Sequence, residues 1–264
     1  MIISRVLREK LKKRPVFGMT IYSGSIAIIE ALGHWGFDFA FIDAEHTSMG
    51  IDRDMEKLVM AAQHAGVSPL VRVGGVDEKE IRKALEMGAD GVIIPHVKTK
   101  GETEMCVRSA KFPPQGRRGV DGSVRAARYG ARGFNWEQYI QESNENIMVL
   151  PMAEDYEFMD NIDEIMDVPG IDAINFGPAD FASSKCIKTF YNLGEPVINT
   201  ALKEIIEKAK KRNIYVMAPV IPPNAEKLQA AIDMGVDMLI MGSDMLHHNA
   251  ACANVMDNVV SKYL

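Results

Sequence analysis

Cysteine is scarce in this 264-residue chain: Cys106, Cys186 and Cys252 lie far apart, are odd in number and form no CxxC pair. That excludes a disulfide scaffold and a cysteine-rich zinc site, and it fits reduced thiols in the cytoplasm. Long hydrophobic runs are missing too, with none near the roughly 20 apolar residues that a membrane span requires. The basic, amphipathic start MIISRVLREKLKKRPVF has no apolar signal core and no small-residue cleavage site, so it reads as a short capping helix rather than a targeting segment. Positive charge is not in excess: the formal charge is −6, with acids and bases mixed along most of the chain. This argues against nucleic acid or an anionic membrane as partner, while a small anionic substrate needs only one local positive site. No GxGxxG follows the first apolar segment, and Gly74-Gly75 reads as a plain turn.

What is present is a repeat. A Gly, a small or apolar residue, an Asp and a short apolar run recur four times: GFDFAFID from Gly36, GADGVIIP from Gly88, GIDAINFG from Gly170 and GVDMLIMG from Gly235. Each follows a helix-period stretch (SIAIIEALGHW, EKEIRKALEM, YEFMDNIDEIMDVP and AEKLQAAIDM), and the Gly supplies the left-handed residue that ends a helix. Continuous apolar runs suit strands buried on both faces. Four further segments, VFGMT, PLVRV, IMVLPM and IYVMAPV, alternate with them. Eight strands with helices between them predict an α/β protein, a single-domain (β/α)8 TIM barrel over residues 1–264. The segment at about 111–146 breaks the rhythm and is expected as an inserted loop over a subunit interface or the active-site edge. Its five arginines from Arg117 to Arg132 are hard to place in a core.

Such barrels build their sites at the C-terminal strand ends. There the chain offers Asp43, Glu45 and His46 after strand 2, Arg72 at strand 3, Glu154 after strand 5, Asp180 in GPAD after strand 6 and Asp244 after strand 8. Singly, each has an ordinary reading: a hydrogen-bonded histidine, a structural ion pair, an exposed acid in a first helical turn, a helix cap. Together they point to one mouth lined by an arginine, a histidine and several carboxylates. Two carboxylates on adjacent strands suit a hard divalent cation such as Mg2+ or Mn2+. His247 and His248 are neighbours on a helix, so their side chains diverge, which argues against zinc. No lysine lies within a strand segment, which weakens a Schiff-base route.

The segments FDFAFIDAEH, PLVRV, GADGVIIPHV, KFPPQGRRGV, INFGPADFA and MLIMGSD, in this order, resemble the HpcH/HpaI aldolase family of metal-dependent pyruvate aldolases. The resemblance implies a (β/α)8 barrel, a homo-oligomer (a hexamer or trimer of dimers) with an exchanged C-terminal helix, and a divalent metal ion, Mg2+ or Mn2+ with Co2+ as a third option. It implies that Glu154 and Asp180 hold the metal, Arg72 faces the pyruvyl oxygens and His46 acts as acid–base. The backbone from Gly177 through Pro178 and Ala179 to Asp180 then meets the substrate carboxylate. Glu86 aligns with an acidic partner of the catalytic histidine that is usually Asp and comes from a neighbouring subunit. Two departures stand out: Met152 occupies the place of the family's Gln, and FASSKCIKTF replaces the usual continuation after GPAD.

The activity implied is cleavage or formation of a 4-hydroxy-2-oxo acid through a pyruvate enolate, from a small-molecule 2-oxo acid and an aldehyde. Acyl-CoA cleavage or oxaloacetate decarboxylation on the same scaffold, and a binding barrel without catalysis, are the alternatives. On this reading Arg72→Ala abolishes turnover with little loss of folding.

Overall fold

All four repeat glycines adopt left-handed backbone, with φ of 81° at Gly36, 96° at Gly88, 100° at Gly170 and 106° at Gly235. A side chain there is strained, which is why the motif carries Gly where each helix stops. In the computed structural model of the chain, which describes residues 4–264, eight parallel strands close into a barrel in chain order. They are β1 (Val16–Ile21), β2 (Phe39–Asp43), β3 (Ser68–Arg72), β4 (Gly91–Ile94), β5 (Met148–Ala153), β6 (Ala173–Phe176), β7 (Tyr215–Pro219) and β8 (Met238–Ser243). The first helix is α1 (Ser4–Leu11), and the outer layer follows as α2 (Ile26–His34), α3 (Arg53–His64), α4 (Glu78–Glu86), α5 (Lys100–Ala110) and α6 (Trp136–Asn146). It is completed by α7 (Tyr156–Asp160), α8 (Ile162–Met166), α9 (Pro178–Ser184), α10 (Pro196–Lys211), α11 (Ala225–Met234) and α12 (Asp244–Val255). The (β/α)8 expectation is met strand for strand. The stretch YEFMDNIDEIMDVP departs from its expected single helix: it breaks at Asn161, whose side-chain Nδ2–H donates to the Lys98 carbonyl at 2.9 Å.

The Asp of each repeat has a task of its own. At the N-terminal end of the barrel, the carboxylates of Asp38, Asp172 and Asp237 accept the backbone N–H of Phe17, Val149 and Val216 at 3.0, 2.8 and 2.9 Å. In each case the donor sits on the strand just before, and its carbonyl accepts the Asp N–H in return. The carboxylate thus pins the start of β2 to β1, of β6 to β5 and of β8 to β7. In the fourth copy the residue that accepts the Asp90 N–H is Pro69, which has no amide hydrogen to give back.

The barrel interior is packed by apolar side chains from the strands, among them Phe39, Leu70, Ile93, Leu150, Met217 and Met238. Helix α1 inserts Leu7 and Leu11 into the same cluster and so closes its lower end. Charge holds that helix down: Arg8 donates to Asp172 at 2.7 Å, while Lys10 and Arg14 donate to the buried Asp38 at 2.8 Å. Burial alone would raise the Asp38 pKa, but the donors Arg14, Lys10 and the Phe17 N–H outweigh it and hold the carboxyl below its ordinary value of 3.8. Asp38→Ala leaves these donors uncompensated and is expected to cost about 2–4 kcal/mol in urea unfolding. A depressed carboxylate stabilises above its unfolded pKa, so the gap between wild type and variant is full at neutral pH. It closes as pH falls below about 4 and through the lower folded-state value; a gap independent of pH would remove Asp38 from this account.

The 111–146 segment differs from the expected loop. Its last part is α6, and Arg125–Gly130 forms a 3-10 turn. Arg125 donates to the Met87 carbonyl at 2.8 Å and to Gln63 Oε1 at 2.6 Å, which fastens the segment over the ends of α3 and α4 that precede β3 and β4. Arg118, read as unsuited to a core, is only 3% exposed and lies over the Phe112 ring at 4.7 Å. Its planar guanidinium stacks where an ammonium would not. No residue of 111–146 lines the pocket at the barrel mouth within one chain.

Candidate active site

At the C-terminal mouth lies a cavity of about 290 Å³ lined by His46, Arg72, Glu154, Asn175, the run Gly177–Asp180, and aromatic and aliphatic side chains. A larger cavity of about 440 Å³ lies outside the barrel beneath the Arg125–Gly133 turn. Titratable groups from separate strand ends converge only on the first, and convergence rather than size marks the chemistry.

Arg72, the last residue of β3, is 5% exposed and grips Asp43, its register partner on β2, in a two-pronged pair at 2.7 Å on each side. A third nitrogen, Nη1, lies 2.9 Å from Glu45 Oε2, at an angle outside hydrogen-bond geometry. Burial works against the Arg72 charge, but Asp43 and Glu45 outweigh it and hold the guanidinium above its usual pKa. The guanidinium is therefore a fixed cation, aimed by two carboxylates. This corrects the expectation for Arg72→Ala: with Asp43 fully buried, losing the arginine strands a charge, and folding suffers as well as turnover.

Glu154 follows β5 and is 1% exposed, so it is no surface acid of a helix start. Its Oε1 accepts the His96 backbone N–H at 2.7 Å. Burial pushes the carboxyl up to about 7, with the His96 amide and ring pulling it down and Glu45 and Asp180 pushing it further up. A Cβ on Gly177 would stand 2.7 Å from Glu154 Oε2, so the glycine clears the approach. Asp180, in the first turn of α9, lines the same cavity. Two oxygen donors facing one cavity, with the buried one short of compensating charge, fit a hard divalent cation. Among the described residues no group of three or more His, Cys, Asp or Glu is set to hold a metal, so water and substrate oxygens would complete the shell.

His46 is about half-exposed at the rim, with Nε2 3.6 Å from Glu45 Oε2. Glu86 is not brought to this pocket: it ends α4 on the barrel exterior, 3.8 Å from Arg82, and any contact with a His46 would have to come from a second chain. Asp244 is structural, accepting the N–H groups of Tyr22 and Ser23 at 3.0 and 2.9 Å.

Several residues in or beside the pocket carry no mark in the sequence reading. His96 stands two residues past β4 with left-handed backbone (φ 54°), 2.9 Å from Asp155 and 3.3 Å from Glu45. Burial lowers its pKa, but Asp155, Glu154 and Glu45 together raise it above the ordinary histidine value. Its place in IIPH, past a strand end just as Glu45 is in IDAEH, was the available signal. Tyr22 and Tyr191 frame the cavity. Burial pushes the Tyr22 phenol up to about 12 and raises Tyr191 too, so both hydroxyls stay protonated donors.

A parallel eight-stranded barrel with a buried, charge-fixed arginine and opposed carboxylates at its C-terminal mouth is an enzyme scaffold. The HpcH/HpaI aldolase/citrate lyase family profile matches residues 17–251, and the chain belongs to that family. It is 31% identical over 228 residues to a 2-dehydro-3,6-dideoxy-6-sulfogluconate aldolase of Pseudomonas putida, spanning 86% of each protein. It is 30% identical over 256 residues to the 2-keto-3-deoxy-L-rhamnonate aldolase of Escherichia coli K12, spanning 95% of this chain and 91% of that one. The structure superposes on citrate synthase SbnG with a TM-score of 0.85 at 27% identity, over 98% of this chain and 97% of that one. The chain is a carbon–carbon lyase of the aldolase type acting on small molecules, and aldolases of this family depend on a divalent metal ion. No helix among the described residues is long and apolar enough to cross a membrane.

Proposed function

We propose that this chain cleaves a 4-hydroxy-2-oxo acid to pyruvate and an aldehyde, with Glu154 and Asp180 holding Mg2+ or Mn2+. The observation that carries the reading is the meeting of these two carboxylates with the charge-fixed Arg72 in one cavity. The bound cation would supply Lewis-acid polarisation of the 2-oxo acid's oxygens. Arg72 stabilises the negative charge that develops on the former keto oxygen, where a fixed, desolvated guanidinium acts most strongly. His46 takes the proton from the C4 hydroxyl as the C3–C4 bond breaks to aldehyde and enolate. Its half-exposed rim position lets it exchange protons with solvent, from which C3 of the enolate is protonated to give pyruvate. The backbone from Gly177 to Asp180 meets the substrate carboxylate, and Tyr22 and Tyr191 donate to oxygens of the aldehyde half. A cavity of about 290 Å³ suits a sugar-acid-sized substrate and leaves the bulk of a CoA outside.

Assembly follows from the C-terminus. Helix α12 and its continuation expose Val255, Met256, Val259 and Leu264, an apolar face that suits exchange between subunits of a homo-oligomer. The exposed free thiols Cys186 and Cys252 suit the cytoplasm.

The test is deuterium exchange into the methyl group of pyruvate in 2H2O, with and without Mg2+ or Mn2+. Exchange that requires the metal is the expected result. Its absence with every metal would sink the pyruvate reading.

A further inference from the structure

We propose that Asn175 is a substrate-binding residue, its side-chain amide hydrogen-bonding the 2-oxo acid from the floor of the pocket; this rests on the aldolase reading above. Inward-facing positions of the barrel are otherwise mostly apolar: Ala173 two residues earlier on β6, Met152 beside it on β5, and Phe41 and Ile240 on β2 and β8. Asn175 shares that face, is 2% exposed, and its Oδ1 is without a hydrogen-bond partner among the described residues. Burying a polar group unpaired is destabilising, and a leucine of similar size would remove that cost. An amide kept at such a position is not there for packing.

Its surroundings say what it serves. Asn175 lines the same cavity as Arg72, Glu154, Gly177 and Asp180. On β6 it stands two residues before Gly177, and its register partner is Met152, two residues before Glu154. The pair therefore forms the layer directly beneath the carboxylates. The Met152 thioether is only a weak acceptor and donates nothing, so it leaves the amide unanswered. Turned about its last bond, the amide offers Nδ2–H to a carboxylate or keto oxygen, or Oδ1 to a hydroxyl.

Stability and affinity should separate. In calorimetric titrations with pyruvate in the presence of Mn2+, Asn175→Leu and Asn175→Ala are each expected to bind at least tenfold more weakly than wild type. Asn175→Leu is expected to melt at the wild-type temperature or above it, because it removes an unpaired polar group. Unchanged affinity in either variant overturns the assignment; weakening in the leucine variant alone would mean a steric block. A lowered melting temperature or failure to fold in Asn175→Leu also overturns it, by showing that the amide has a structural partner. Wild-type exchange of pyruvate protons, measured alongside, separates the two levels. With exchange intact and Asn175 dispensable, this inference alone falls; with neither exchange nor pyruvate binding in wild type, the aldolase reading falls and takes it along.

Discussion

Glu154→Gln is expected to lower metal-dependent pyruvate exchange by at least about 10³-fold, equivalent to roughly 4 kcal/mol of lost transition-state stabilisation, while the protein stays folded. Glutamine keeps the shape and keeps an oxygen to accept the His96 N–H, which wild type binds at 2.7 Å. It removes only the charge. The sign of the stability effect follows from the carboxyl being pushed up from 4.5 to about 7 by burial. A raised carboxyl pKa means that the folded state holds the proton more tightly than the unfolded chain. That contribution is present below the unfolded value and is lost as pH rises through about 7. Metal-free wild type therefore loses stability between these values, whereas Glu154→Gln does not. Added Mn2+ reverses the order, since it stabilises only the protein that binds it. Thermal melts across pH with and without Mn2+ read both effects, and equal Mn2+ stabilisation of the two proteins would take Glu154 out of the metal site.

Arg72 carries the second large effect, in two separable parts. Arg72→Lys keeps a positive charge but loses the planar fork that meets both oxygens of Asp43 at 2.7 Å. The ammonium is no longer aimed, and kcat/KM is expected to fall about 10²–10³-fold, the usual loss for a misplaced transition-state donor. Arg72→Ala goes further, because it leaves Asp43 buried with its counter-charge gone, at about 3–5 kcal/mol of stability. Adding Asp43→Asn to Arg72→Ala should restore much of that stability and none of the activity. Urea unfolding of the single and double variants measures the coupling. If the two substitutions are simply additive, the pair does not act as a unit.

The fold was legible because its punctuation is local. Gly36, Gly88, Gly170 and Gly235 each need a backbone that other residues resist, so the helix stops and the strand starts after them show directly in the chain. Arg72, Glu154, Asp180 and His46 were legible as a group for a related reason: in a parallel barrel, residues past each strand end share one mouth. His96, two residues past β4, obeys the same rule. Tyr191 follows no such rule, because a left-handed residue (φ 56°) in the loop after α9 turns the chain there. Arg118 misleads by its type: a guanidinium reads as surface, although stacking on Phe112 lets it lie inside. Glu86 shows the limit of one chain: the role across an interface that the family resemblance implies for it would leave no local signature.

The clamps at the base of the barrel have a consequence for how the molecule is divided. In each clamped pair the Asp and the N–H that it accepts belong to the same βαβ unit: Asp38 with Phe17, Asp172 with Val149, Asp237 with Val216. The carboxylate clamps thus lie inside three of the quarters, while the backbone carbonyls of Asp38, Asp172 and Asp237 accept the N–H of Ser68, Tyr215 and Val16 in the next quarter. Cutting the chain between β2 and β3, or between β6 and β7, and joining the old termini would leave every one of these clamps whole, whereas a cut between β1 and β2 would make Asp38 find Phe17 across the entire chain. The permissive seams are in this sense the ones that no clamping aspartate carboxylate crosses and that backbone hydrogen bonds between strands span.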